Sequence, residues 1–400
     1  MRSNSGDPMT DSPPRLLVIS SAPGQATGAG IRLDQKFAEG MGHYARAWRG
    51  RTRCLLREDA KPLPFSAVFD PESLPFEIAL RPRGHRISSA DLEDADVVLC
   101  SGDNQDYLHV AELCRAAGTA LFYIIEYIPE TRRQIVRLDP GRSALQKLKS
   151  ILHIQYHESR RRRAFRRATG LQANGYPAAA RYSRDNPNTL LYLDNRIGPD
   201  LLATDAEMAE RERRLIRGEP LRLIHSGRLE PMKGSQDLIA VARSLRARGV
   251  GFVLDIFGTG SLEGAIRDEA RREGLAEQVR LHGVVDFAHE LVPFARMNSD
   301  IYLSCHRQSD PSCTYIENMG CGLAVAGYDN RMWQALARES DAGWVAPLGN
   351  AEALASRIAE AGQDRAALFG HCSRALDFAR AHVFGVEFDK RIAQMQAAVG

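Results

Sequence analysis

The chain has 400 residues, too many for one ordinary core, so two domains of roughly 150–200 residues are expected. Its composition is that of a soluble globular protein, 44% hydrophobic and 26% charged, and a net charge of +3 is too small to imply a nucleic-acid partner. The longest apolar run, ALFYIIEYI at 120–128, carries Glu126 and falls short of the roughly 20 residues that cross a bilayer, so no membrane span is expected.

Residues 1–14, MRSNSGDPMTDSPP, are polar and proline-rich without an apolar h-region, and read as a flexible leader rather than a signal peptide. Cytoplasmic residence follows. Short apolar runs then alternate with longer helical patterns, the mark of parallel sheets built from βαβ units. Strands are expected at 15–21, 52–56, 95–101, 119–125, 170–173 and 189–193 in the first half. In the second half they fall at 221–227, 251–258, 278–283, 300–305 and 323–328. Helices are expected over 235–249, where Leu238, Val241, Ala242 and Leu245 share one face, and over 261–274, with Gly274 as a stop. The fold class is therefore α/β, with two doubly wound domains in series. The first covers 15–200 and the second 220–380. Polar text at 201–219 marks a linker, and a last helix at 381–400 returns to the first domain.

The seven cysteines form no CxxC pair and lack nearby histidines at ligand spacing, so they read as buried small hydrophobes rather than a metal or disulfide framework. No G-x-G-x-x-G fingerprint or Walker A loop follows a first strand. Gly28-Ala29-Gly30 is placed in the first strand-to-helix loop, where it is either a flexible turn or a loop that lets a substrate approach the backbone.

In open parallel sheets, ligands sit beyond the carboxyl ends of strands. After the first strand of the second domain comes HSGRLEPMKG, in which Arg228 and Lys233 occupy a loop that opens a helix. Two cations and free backbone N–H groups there can converge on an anion, a diphosphate above all; the alternative is two solvated surface cations. After the fourth strand comes SDPSCTYIENMGCG, 309–322. Thr314-x-x-Glu317 fits a capping box, which explains Glu317 structurally. Alternatively Glu317 accepts hydrogen bonds from ribose hydroxyls at a cleft.

Taken in order, HSGRLEPMKG, DIFGTGSLE, VRLHG and SDPSCTYIENMGCGLAVAGY resemble the nucleotide-sugar-dependent glycosyltransferases of family 4, over roughly 215–350. The resemblance implies the GT-B architecture, two facing Rossmann-like domains with the active site between them. It assigns Arg228 and Lys233 to the donor diphosphate. It sets Gly258, Gly260 and Val284 around the nucleoside, with Gly227, Ser312, Thr314 and Glu317 completing the donor site and Glu317 on the ribose. The family's other glutamate would fall at Ser309, with Asp310 as the candidate carboxylate for the donor sugar. Many members also carry a histidine after the strand matching 119–125; here Glu126-Tyr127 stands there, so Glu126 is a candidate cleft carboxylate beside Gly28, Gly30, Asp103 and Asn104.

The resemblance further implies retention of configuration by front-face displacement, with the leaving diphosphate helping to deprotonate the acceptor. No metal is expected, because DLEDAD (91–96) precedes a strand and no other aspartate-x-aspartate motif lies in a plausible loop. No cofactor is expected beyond a UDP- or GDP-linked sugar as co-substrate. From 142 to 184 eleven basic residues face a single acid, Glu158, with Leu145, Leu148, Ile151 and Leu152 as an apolar stripe. Either the stripe packs on the sheet and the arginines are solvated, or a basic amphipathic helix rests on anionic lipid. A saccharide or lipid-linked acceptor at the inner face of the plasma membrane fits the second reading. Rival functions are a nucleotide-sugar epimerase or hydrolase, and an idle nucleotide-sugar-binding protein.

Overall fold

The structure, a computed structural model, describes residues 13–61, 63, 66–139, 141–309 and 311–399. Most of the leader, and Asp310, lie outside the described residues. The strands of the first half are β1 (Leu16–Thr27), β2 (Gly30–Asp34), β3 (Thr52–Glu58), β4 (Ser66–Phe69), β5 (Glu77–Arg81), β6 (Val97–Ser101), β7 (Ala120–Ile125), β8 (Gly170–Asn174) and β9 (Thr189–Tyr192). Its helices are α1 (Gln35–Ala47), α2 (Val110–Ala117), α3 (Pro129–Leu138), α4 (Ala144–Arg167) and α5 (Tyr176–Tyr182).

β5, β3, β1, β6, β7, β8 and β9 lie side by side in parallel. The runs 16–19, 97–100 and 121–123 are buried throughout, as strands covered by helices on both faces must be. The strand order reverses between β1 and β6, whose ends are tied by Ser21 Oγ donating to Ser101 Oγ at 2.6 Å.

Beyond Ile19 the register of β1 shifts, and its last residues pair antiparallel with β2, which in turn pairs with β4. Gly28 and Gly30 therefore sit at the turn of a β-hairpin and not in a strand-to-helix loop. A Cβ on Gly30 would overlap the Phe69 carbonyl, so that glycine serves sheet packing.

The second half contains α6 (Asp205–Ile216), β10 (Leu221–Ser226), α7 (Leu238–Ala247), β11 (Phe252–Phe257), α8 (Glu263–Arg272), β12 (Val279–Gly283), α9 (Val292–Asn298) and β13 (Ile301–Ser304). It continues through α10 (Thr314–Gly320), β14 (Ala324–Tyr328), α11 (Arg331–Ser340), β15 (Gly343–Ala346), α12 (Ala351–Gln363), α13 (Arg365–Ala381) and α14 (Phe384–Gln396). The sheet order β12-β11-β10-β13-β14-β15, all parallel, is the doubly wound order with its switch point between β10 and β13.

The segment 201–219, expected as a linker, contains α6, which packs into the second domain. Arg211 on this helix is fully buried and donates to the carbonyls of Ser299, Gly322, Arg296 and Cys321. After α13 the chain crosses back, and α14 sets Phe388, Ile392 and Met395 among Leu16, Val18 and Tyr44 of the first domain. All seven cysteines are free thiols, six of them buried. Among the described residues no helix is long and apolar enough to cross a membrane.

Candidate active site

Three loops meet at the carboxyl end of the second sheet. Gly227 N–H donates to the Phe257 carbonyl at 3.0 Å, Leu229 N–H to that of Thr259 at 2.9 Å, and Gly258 N–H to that of Gly283 at 2.6 Å. Gly227, Gly258 and Gly260 thus come together, with exposed Val284 one residue past the last contact. The approach is too close for side chains: a Cβ on Gly258 would overlap the Gly227 carbonyl, and its φ of 122° disfavours any other residue. Arg228 projects into solvent from this cluster, whereas Lys233 is buried in the tight turn at 231–233. Gly234 follows with φ 70°, its α-carbon packed on the Cys305 carbonyl past the end of β13. The Arg228–Lys233 loop and the loop after β13 therefore flank the switch point together.

The floor of this crevice is polar. His225 is fully buried, and burial lowers its pKa to about 4 although Nδ1 faces the Leu303 carbonyl at 3.0 Å. His306 is likewise lowered well below its ordinary value, by burial and then by Lys233 and His225. His225 Nε2, His306 Nδ1 and both amide atoms of Gln308 have no hydrogen-bond partner among the described residues. Buried polar atoms left over in this way are unusual in a folded core and call for a polar partner such as an ordered water.

The capping box expected at Thr314 and Glu317 does not form. α10 begins after Cys313 without a side-chain cap, and Thr314 Oγ1 instead meets the Tyr302 hydroxyl and Ser312 Oγ, each at 2.8 Å. Glu317 is buried and turned to Arg196 of the interdomain crossing, with Nε to Oε1 at 2.9 Å and Nη2 to Oε2 at 3.5 Å. Arg196 in turn lies over the Phe287 ring, 3.7 Å from its centroid.

Ser309 is buried and committed to contacts between the domains. Its N–H donates to Gln134 Oε1 at 3.1 Å, its carbonyl accepts from Thr131 Oγ1 at 3.2 Å, and its Oγ accepts from Arg331 N–H at 3.2 Å. A second link, Arg331 to Glu130 at 2.7 Å, runs beside it. Ser309 is thus part of the seam between the domains, and it brings no carboxylate where the resemblance placed a sugar-binding glutamate.

Facing these loops, the first domain opens a cavity of about 890 Å³ at its own switch point. Ser20, Ser21, Asp103, Asn104, Glu126 and Tyr127 line it, but Gly28 and Gly30 do not. Asp103 is spent on architecture: it accepts from Arg161 at 2.6 Å, from Arg132 at 2.9 Å, and from the backbone N–H groups of Glu126 and Tyr127. It thereby fixes the loop that presents Glu126 to the cavity. Asn104 Oδ1 caps the following turn by accepting from Asp106 N–H.

Four further polar residues of this wall carry no motif: Lys36, Asp194, Arg132 and Arg391. Burial would lower the Lys36 ammonium, but Asp194 at 2.6 Å outweighs it and its pKa is raised. Asp194 and Arg196 follow directly on β9, and that place past a strand's carboxyl end was the available signal for both. For Lys36 and Arg391, set on helices, the text holds none.

Residues 207–375 match the family model described as Glycosyl transferases group 1. Among curated proteins, the chain is 29% identical over 160 residues to colanic acid biosynthesis glycosyltransferase WcaL of Salmonella typhimurium, covering 36% of each. It is 33% identical over 102 residues to glycosyltransferase EpsF of Bacillus subtilis, covering 25% of this chain and 27% of that one. The chain thus spans about a third or less of the curated relatives it matches. Among solved structures, HepE of Anabaena in complex with UDP superposes with a TM-score of 0.66 at 16% identity, over 96% of this chain and 100% of that one. The same protein with UDP-glucose gives 0.62, over 96% and 99%. The chain has the GT-B fold of these glycosyltransferases, and the segment that matches the group 1 model contains both loops of the β10–β13 switch point.

Proposed function

We propose that the protein is a retaining glycosyltransferase that moves a sugar from a nucleoside diphosphate donor to a saccharide or lipid-linked acceptor in cell-surface polysaccharide synthesis. The observation that carries this reading is the opposition of two switch points. A crevice with Arg228, Lys233 and leftover buried polar atoms faces a cavity rich in hydroxyl, amide and carboxylate groups. The group 1 match over the first of these favours a nucleotide-sugar donor, and the HepE complexes favour uridine diphosphate as its carrier.

In this mechanism the bond between the sugar C1 and the diphosphate oxygen breaks while the acceptor oxygen bonds C1 on the same face. The acceptor proton passes to the departing diphosphate. Arg228 and Lys233 stabilise the negative charge that builds there, a task for preorganised cations more than for a nucleophile. Glu126, held by the Asp103 clamp, orients the acceptor hydroxyl, and the serine and asparagine groups beside it bind the neighbouring hydroxyls. Glu317 takes the ribose with the oxygen lone pairs that Arg196 leaves open. No metal or cofactor enters the scheme.

The test is titration calorimetry with UDP-, GDP- and ADP-sugars on wild type, Arg228→Ala and Glu317→Ala, followed by the anomeric configuration of any product. Tight binding of one diphosphate donor that both substitutions weaken is expected, with the donor's configuration kept in the product. Unchanged binding in both variants would overturn the site assignment, and an inverted product the mechanism.

A further inference from the structure

The first half of α4 carries large apolar side chains that nothing covers. Leu145, Leu148, Leu152 and Tyr156 are 62%, 54%, 62% and 63% exposed, and no other helix of the described residues gathers as many. At about 100° per residue these four fall within a stripe roughly 80° wide and about 16 Å long. Of the two readings that the sequence left open for this segment, the one with the leucines packed on the sheet is not the structure found. The side chains that turn inward are Ile154, Glu158, Arg161 and Phe165, on the opposite side of the helix.

Cations share the exposed side. By the same angular count, Lys149 and Arg163 lie within about 60° of the stripe's centre and Arg160 about 80° from it. All three are exposed and form no ion pair among the described residues. The only acid on the helix, Glu158, is buried and bound by Arg181 and the Tyr182 hydroxyl. An apolar strip edged by unpaired cations, with a tyrosine between the leucines and the arginines, has the layout of a helix lying in a bilayer interface.

The position of the strip gives it a use. Ile154 lines the cavity of the first domain together with Arg132, Ile135 and Val136 of α3, so α4 is the wall between the cavity and the strip. A surface seated on the strip is one helix diameter, about 10–12 Å, from the cavity.

We propose that Leu145, Leu148, Leu152 and Tyr156 insert into the headgroup region of an anionic membrane, with Lys149, Arg160 and Arg163 on its phosphates, and that this contact sets the cavity beside a lipid-anchored acceptor. The occupant is a lipid surface and not a second copy of the chain, because the cations along the strip would repel their own kind across a symmetric interface. The link to an acceptor rests on the glycosyl-transfer reading; the contact itself does not.

The test is co-sedimentation with vesicles of equal parts phosphatidylglycerol and phosphatidylcholine, and with phosphatidylcholine alone. Wild type is expected to bind the anionic vesicles at least tenfold better than the neutral ones. The variant L145S/L148S/L152S is expected to lose at least tenfold in partitioning, and K149E/R163E at least as much at low salt. Both variants should keep the wild-type unfolding midpoint, since the substituted side chains touch solvent. No sedimentation of wild type, equal binding to both vesicles, or unchanged binding of the leucine variant would each overturn the proposal. So would light scattering that finds a dimer in wild type and a monomer in the leucine variant. Protection against thermal unfolding by UDP-, GDP- and ADP-sugars, read in parallel, separates the two ideas: vesicle binding without protection by any of them sinks the transferase reading alone.

Discussion

Arg196 and Glu317 join the crossing between the domains to the helix after β13, through two hydrogen bonds on a carboxylate that is buried. Without the guanidinium, Glu317 would keep its burial and lose its counter-charge. Breaking a fully buried pair costs about 3–5 kcal/mol. The Arg196 side chain is 36% exposed, so screening by water reduces the expected loss for Arg196→Ala to roughly 1–2 kcal/mol. Glu317→Gln should cost less, because a neutral amide tolerates the site. Urea unfolding of the two single variants and the double variant is expected to give a coupling energy of about 1 kcal/mol. Simple additivity would mean that the pair is incidental.

Gly234 and Gly28 should respond differently to substitution. A Cβ at Gly234 would overlap the Cys305 carbonyl, and the residue holds a φ of 70°. Gly234→Ala is expected to cost more than about 3 kcal/mol, combining backbone strain with forced movement of the Lys233 loop. A Cβ at Gly28 meets nothing within 4 Å, so Gly28→Ala should stay within about 0.5 kcal/mol of wild type. Thermal unfolding of both checks this, and a neutral Gly234→Ala would refute the packing argument.

The difference between those glycines shows where sequence reading ends. The parallel strands were legible because runs such as 97–100 and 323–326 are buried and uniformly apolar. The glycines at 227, 258 and 260 were legible as turn residues, although their mutual contact was not. α6 was hidden because its buried face includes Arg211 and Arg214, whose charges read as solvent-facing until the carbonyls and Asp300 that receive them are known. The hairpin at 22–34 was hidden because its first arm is rich in glycine and alanine without apolar alternation, and the alternation in its second, Ile31-Arg32-Leu33-Asp34, runs for only four residues. The capping box failed for a similar reason: Thr314 and Glu317 had the right spacing, but Tyr302 and Arg196 offered each a better partner. Local pattern proposes, and long-range pairing decides.

Asp103 joins four donors at the edge of the cavity, and the two arginines differ in exposure. Arg161 is buried at 5% side-chain exposure and Arg132 less so at 23%. Asp103→Asn keeps the shape and removes the charge that both arginines face, so a loss of about 3 kcal/mol is expected. Arg132→Gln leaves Asp103 with Arg161 and should cost only about 1 kcal/mol. Chemical denaturation ranks the two. Equal losses would mean that Arg132, not buried Arg161, carries the clamp.

The buried histidines predict how stability depends on pH. His225 titrates near 4 in the folded chain, because burial disfavours its cation, against about 6.5 when unfolded. Above pH 6.5 both states hold the neutral ring and the stability is complete. As pH falls from 6.5 towards 4, only the unfolded chain takes up the proton, so folding free energy declines and then levels once the folded chain is protonated as well. A gap of about 2.5 pKa units corresponds to at most about 3 kcal/mol from this ring, and His306 pushes in the same direction. Urea midpoints at pH 7, 6 and 5 should therefore fall steadily. In His225→Gln the slope should be shallower by one proton's worth, whatever that substitution does to stability at pH 7. A variant with the wild-type slope would mean that His225 is already charged in the fold, and the leftover Nε2 at the β10–β13 switch point would then be a proton donor and not a vacant acceptor.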